Sequence, residues 1–208
     1  SRPPTSEDQT VSREAWVSLG VATAAAFLVV IDVSVVNVAL PSITADFGVD
    51  GAELSWIVSG YNITLASLML LAGRLADRRG RRRIFITGVV GFLVGSAFCG
   101  LAPNAQFLIG ARIIQAVGGA LLTPASLAMV LPAFPLAKRG TAIGVWGAMG
   151  ALGAAFGPSV GAFLIEAWDW RLIFLINIPF GIAVIVACLR QVEESYGDRT
   201  TGRLDVVG

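Results

Sequence analysis

Four polar side chains interrupt long apolar runs, and what they could do there is the first question the chain poses. Asp32 lies in VVIDVSVVNVAL. A carboxylate at membrane depth costs roughly 2.5–3.5 kcal/mol on insertion scales and generally marks a function. Loss of water favours the neutral form of a carboxyl, so an acid placed there can take up and release a proton. One reading makes Asp32 a proton or cation site. The other lets it snorkel to the outer interface, because Pro41 is only nine residues on. Asn37, five residues beyond Asp32, either hydrogen-bonds a neighbouring helix or a substrate, or sits at the interface. Arg112 is the lone cation of FLIGARIIQAVGGALLTPAS and needs an anion or backbone carbonyls. Gln115, three residues on, shares its helical face, and Gly118 and Gly119 thin the helix one turn further. Such a polar stripe reads as the lining of a cavity. The alternative is a structural bridge near the outer leaflet, with Asp32 as its partner.

The residues that are missing exclude other chemistry. There is no histidine, which removes Ser-His and Cys-His catalysis and the commonest metal ligand. Lys138 is the one lysine and lies in a loop, so a Ser-Lys dyad within the membrane fails as well. No acid cluster or cysteine spacing suits a metal, and nothing calls for a cofactor. Cys99 and Cys188 each sit in an apolar run and read as small buried hydrophobes. An intramembrane enzyme or a scaffold that transports nothing is the weaker hypothesis. Nucleic acid is not expected as a partner, because the basic cluster abuts apolar spans and lacks interleaved aromatics.

The elements that must position these groups are transmembrane helices. Hydrophobic residues make up 55% of the chain and charged ones 14%, well below the roughly one quarter charged of ordinary globular domains. Mean hydropathy is +0.76. Spanning takes about 20 apolar residues in a row, and the chain supplies six such runs, near 16–40, 54–72, 84–101, 107–130, 141–164 and 172–189. Pro41 marks the expected exit of the first. Asp46, Asp50 and Glu53 form an acidic loop after it. The first run is too long for a signal-peptide core and is read as a retained helix.

Residues 1–14 form a polar tail, 15–190 the six-helix transmembrane domain, and 191–208 a second polar tail that begins a linker. GRLADRRGRRR, Gly73 to Arg83, carries six arginines and one acid between two uncharged runs and reads as a tight cytoplasmic turn. Thirteen of the fifteen Lys and Arg fall on one side of this topology, and the opposite loops hold only Arg171. By the positive-inside rule both ends are cytoplasmic. Trp16, Trp56, Trp168 and Trp170 fall at helix ends, as interfacial anchors or ordinary packing. In the fifth helix Gly144, Gly147, Gly150, Gly153, Gly157 and Gly161 recur at spacings of three and four, with Pro158 among them. That pattern permits close helix packing, with or without a role in transport. The arginine bias in an Ala/Gly/Val-rich background points to a bacterium with a GC-rich genome.

From about Trp16 to Gly208, the chain resembles the N-terminal half of a major facilitator superfamily transporter. It is most similar to the fourteen-helix drug:proton antiporter branch. The first-helix motif of that branch is matched by Asp32-Val-Ser-Val-Val-Asn37-Val-Ala-Leu-Pro41, with Ser34 where Thr is common. The superfamily signature G-x-L-x-D-R-x-G-R-[KR] is matched at Gly73, Leu75, Asp77, Arg78, Gly80, Arg81 and Arg82. An R-x-x-Q-G-like pattern appears as Arg112, Gln115 and a displaced Gly118. The antiporter signature appears as Gly144, Gly153, Gly157, Pro158 and Gly161, with Ala162 in place of its last glycine. WRLIFLINIPFG, Trp170 to Gly181, resembles the sixth-helix signature, and the closing RLDVVG the start of the next segment.

The resemblance implies an all-α fold of six transmembrane helices built as two inverted three-helix repeats, lying in a bacterial plasma membrane. It implies secondary active export, in which protons flow inward and an amphipathic organic compound is expelled. A specific metabolite or an endogenous antibiotic is the alternative cargo. The chain, which opens on Ser rather than Met, is read as an N-terminal fragment whose missing C-terminal half completes the cavity. Asp77 in the arginine turn would act as a cytoplasmic gate against that half. The fifth helix would bend at Gly157-Pro158 and seal the cavity. Asp32 would carry the proton, and Arg112 would set its proton affinity.

Overall fold

A computed structural model describes residues 11–49 and 51–197. Within them lie six helical spans long and apolar enough to cross a membrane. Helix α1 (Arg13–Phe47) starts where the Ser12 hydroxyl accepts the Ala15 N–H at 3.1 Å, which satisfies one of the orphan donors at a helix start. It ends at Gly48, whose φ of +63° suits a residue without a Cβ. The expected exit at Pro41 is corrected: the helix passes through it to Phe47. A proline removes one helical hydrogen bond. Here Ala39 and Ile43, both fully buried on either side of it, hold the rod together. Asp46 therefore belongs to α1 rather than to an acidic loop, and Asp50 lies outside the described residues.

Helix α2 (Gly51–Arg79) runs past Ala72, and α3 (Arg81–Gly100) starts two residues later. The expected turn of eleven residues is thus mostly helix, and its only non-helical residue is Gly80. Gly80 has φ +104°, and a Cβ there would stand 2.8 Å from the Glu194 carboxylate. The backbone conformation favours glycine, and the Glu194 carboxylate occupies the space where a side chain would start.

Helix α4 (Ala105–Val130) is capped by Asn104, whose Oδ1 accepts the Phe107 N–H at 2.9 Å. Two short 3-10 turns lead into α5 (Arg139–Ala167), which continues through Pro158. The sixth span runs from Leu172 to Gln191, as α6 (Leu172–Leu175) and α7 (Asn177–Gln191) with Ile176 between them in helical conformation. Pro179 supplies no N–H for the Leu175 carbonyl, so one hydrogen bond is missing from the rod.

Helix α4 packs on α3 and α2, α1 packs on α5, and α1 meets α4 at the centre. The α3–α4 contact is close because Gly88 and Gly118 face each other; a Cβ on Gly88 would stand 2.5 Å from the Leu122 nitrogen. Three apolar clusters are stacked along α1. One surrounds Leu19 and Phe134, one Leu28 and Phe92, and one Ile43 and Phe174. The outside is apolar too: Leu70 is 70% exposed and Phe163 62%. Such surfaces belong against lipid or protein, not water.

Candidate functional site

At 1.5 Å rise per residue, Asp32 lies about 28 Å from the start of α1 and about 22 Å from its end. It does not reach either surface and is only 2% exposed. Its Oδ2 accepts from Arg112 Nη1 at 2.5 Å. Its Oδ1 accepts from Gln115 Nε2 and from Asn177 Nδ2, each at 2.8 Å. Both amides also donate to the Ser96 hydroxyl, at 2.8 and 3.2 Å. Gln115 Oε1 accepts from Arg112 Nη1 at 2.6 Å, and the Cys99 thiol points at it from 3.8 Å. The Arg112 guanidinium carbon stands 3.9 Å from the centre of the Tyr61 ring. Arg112, Gln115, Ser96 and Asn177 are all essentially buried.

Five helices thus send a side chain to one point: α1, α2, α3, α4 and α7. The fifth span contributes packing instead. Gly153, Gly157 and Gly161 lie against the α1 backbone and side chains from Phe27 to Val35. The Ser34 hydroxyl donates to the Ala154 carbonyl at 3.0 Å. Gly144 faces open space. A cavity of about 110 Å³ runs between α1, α5 and the sixth span. Asp32 and Asn177 are the polar part of its otherwise apolar wall, beside Phe27, Ile31, Val160 and Phe180.

Of the four intramembrane residues expected from the sequence, the structure brings together Asp32, Arg112 and Gln115. It does not bring in Asn37, which is exposed and donates to the Val33 carbonyl of its own helix at 2.9 Å. Five residues along a helix is a rotation of about 140° away from Asp32. The asparagine that reaches the carboxylate is Asn177, one of three partners absent from the sequence reading. The signal for it was present: Asn177 is the one side-chain amide in the apolar run LIFLINIPFG. Ser96 and Tyr61 carried no comparable mark, since hydroxyl side chains are unremarkable in apolar helices.

At the far end of the bundle, Arg81 donates through Nε and Nη2 to Asp77 Oδ1, at 2.9 and 2.8 Å. The chain after α7 folds back over this turn. Glu194 accepts the backbone N–H groups of Arg82 and Arg83 at 2.9 and 3.1 Å, a favourable place for an anion at a helix start. Arg82 also donates to the Leu189 carbonyl at 2.8 Å. Gly73 lies near Pro124, and Arg78 is exposed.

The family model described as Major Facilitator Superfamily matches residues 22–205. The chain is 42% identical over 183 residues to the Multidrug resistance protein Stp of Mycobacterium tuberculosis, covering 88% of this chain and 34% of that protein. It is 38% identical over 197 residues to the probable actinorhodin transporter of Streptomyces coelicolor, covering 93% and 34%. It therefore spans about a third of the length of these relatives. Among solved structures, the inward-facing, occupied form of a bacterial homolog of the human lysosomal transporter Spinster superposes with a TM-score of 0.74. That match has 24% identity and covers 86% of this chain and 45% of the other, which speaks for the fold alone. With six spans, that fold and that family match, the chain belongs to the Major Facilitator Superfamily of membrane transporters.

Proposed function

We propose that this chain is the N-terminal half of a proton-coupled exporter of amphipathic organic compounds, working from a bacterial plasma membrane with both ends of the chain cytoplasmic. The buried Asp32–Arg112 ion pair, which joins the middle of α1 to the second turn of α4, carries the reading. Each carboxylate oxygen is already in use, one by the guanidinium and one by two amides. A proton arriving on the carboxylate cancels the charge that Arg112 Nη1 pairs with. Proton uptake therefore ends the ion pair and weakens the link between α1 and α4, while the Gln115 amide still bonds Asp32. A second half of the same protein would complete the substrate cavity and rock against this one. Asp77 would act as the gate of the arginine turn, and the α1–α5 glycine contact would keep the seal.

The names of the relatives support export of drugs or antibiotics, since one is a multidrug resistance protein and another a probable actinorhodin transporter. The latter favours a second reading, in which the cargo is one endogenous antibiotic. A panel of competing compounds separates the two: broad competition supports multidrug export, and a single competitor supports dedicated export.

The test of coupling is ethidium efflux from proteoliposomes carrying the full-length protein under an imposed pH gradient. Asp32→Asn is expected to lose gradient-driven efflux while still exchanging dye at equilibrium. Full gradient-driven efflux by Asp32→Asn removes Asp32 as the carrier.

A further inference from the structure

Arg112 is charged whether or not Asp32 holds a proton, since a guanidinium does not give up its own. Something must therefore hold that cation, at lipid depth, in the state where the carboxylate is neutral. Gln115 Oε1 is one neighbour, at 2.6 Å. The face of Tyr61 is the other, with the guanidinium carbon 3.9 Å from the ring centre. The ring of Phe174 is more distant, at 5.7 Å.

Tyr61 is fully buried, and its hydroxyl has no hydrogen-bond partner among the described residues. Gly119 lies beneath that hydroxyl: a Cβ there would stand 3.2 Å from it. A buried hydroxyl left without a partner is a cost rather than a gain. What Tyr61 contributes at this point is its ring.

We propose that Tyr61 is a positioning residue for proton coupling: its ring receives the Arg112 guanidinium when Asp32 is protonated, and so raises the readiness of Asp32 to take the proton. This rests on the reading of Asp32 as the proton carrier. While Asp32 is ionised, the ring competes with a full negative charge, and the pair is electrically neutral as a whole. Once Asp32 is neutral, the ring faces an unpaired cation, and its attraction counts for more. A desolvated contact of this kind is among the stronger cation–π interactions. Removing the ring therefore makes Asp32 harder to protonate.

Among the described residues, no further charge faces Asp32. The titratable groups facing Asp32 are Arg112 from α4, Tyr61 from α2 and Cys99 from α3. Ser96, Gln115 and Asn177 are neutral partners, and α5 meets α1 through glycines.

The test is an infrared titration of the full-length protein in detergent, following the carboxyl stretch that disappears in Asp32→Asn. Tyr61→Phe is expected to leave the midpoint in place, because the hydroxyl is idle. Tyr61→Leu is expected to lower it by about one pH unit. Phenylalanines with one to five ring fluorines at position 61 keep the shape while draining the face of electron density. They should lower the midpoint step by step, and they decide the matter if Tyr61→Leu fails to fold. Equal midpoints across the fluorinated series, or a shift in Tyr61→Phe as large as in Tyr61→Leu, overturn the proposal. A carboxyl signal that does not depend on Asp32 overturns the reading beneath it instead, and the proposal falls with it.

Discussion

Arg112→Met, with Asp32 left in place, is expected to cost about 3–5 kcal/mol of stability, the usual loss when one partner of a buried ion pair is removed. The carboxylate would keep its two amide donors but lose its counter-ion. The structure predicts a second result that distinguishes this from loss of packing. Asp32→Asn combined with Arg112→Met removes both charges and leaves an amide that Gln115 and Asn177 can still bond. That double variant should regain most of the lost stability, because buried pairs replaced as a pair are often neutral. It should not regain gradient-driven transport. Thermal unfolding of the full-length protein in detergent reads the stability, and the four-variant cycle gives the coupling directly. Equal stability of Arg112→Met and the parent would mean that the pair is not dry.

Gly157→Leu is the second large effect. A Cβ at Gly157 already overlaps the Ser34 side chain on α1, and a leucine would push the two helices apart. Overpacking a close contact typically costs about 1–3 kcal/mol, and here backbone separation adds to it. The Ser34 to Ala154 hydrogen bond would go as well. The expected outcome is a lower unfolding temperature and no transport. Gly144 belongs to the same sequence pattern but has nothing within 4 Å of its Cβ position. Gly144→Ala should therefore stabilise, by roughly 0.5–1 kcal/mol of helix preference. Opposite signs at these two glycines would show which part of the pattern is a helix contact. Equal effects would deny that distinction.

The apolar runs were legible because spanning helices are fixed by length and composition, which are local properties. Asp32 and Arg112 were legible for the same reason, since an isolated charge stands out in an apolar run. Their pairing was only one of two open readings, because α1 and α4 are joined by no local signal. The helix ends were less legible. Pro41 looked like an exit, yet the buried side chains on either side of it carry α1 onward. The arginine run looked like a loop, yet all of it but Gly80 is helical. Asn37 and Asn177 show the limit most clearly. Both are amides in apolar runs, and only the rotation of α1 and the packing of α7 against it decide which one faces the carboxylate.

If Asp32 couples transport to protons, a proton leaves or enters it as cargo binds. The direct measurement is proton release by the purified full-length protein on mixing with ethidium in weakly buffered detergent solution. Release is expected from the parent protein and none from Asp32→Asn at the same occupancy. Undiminished release by Asp32→Asn would contradict it.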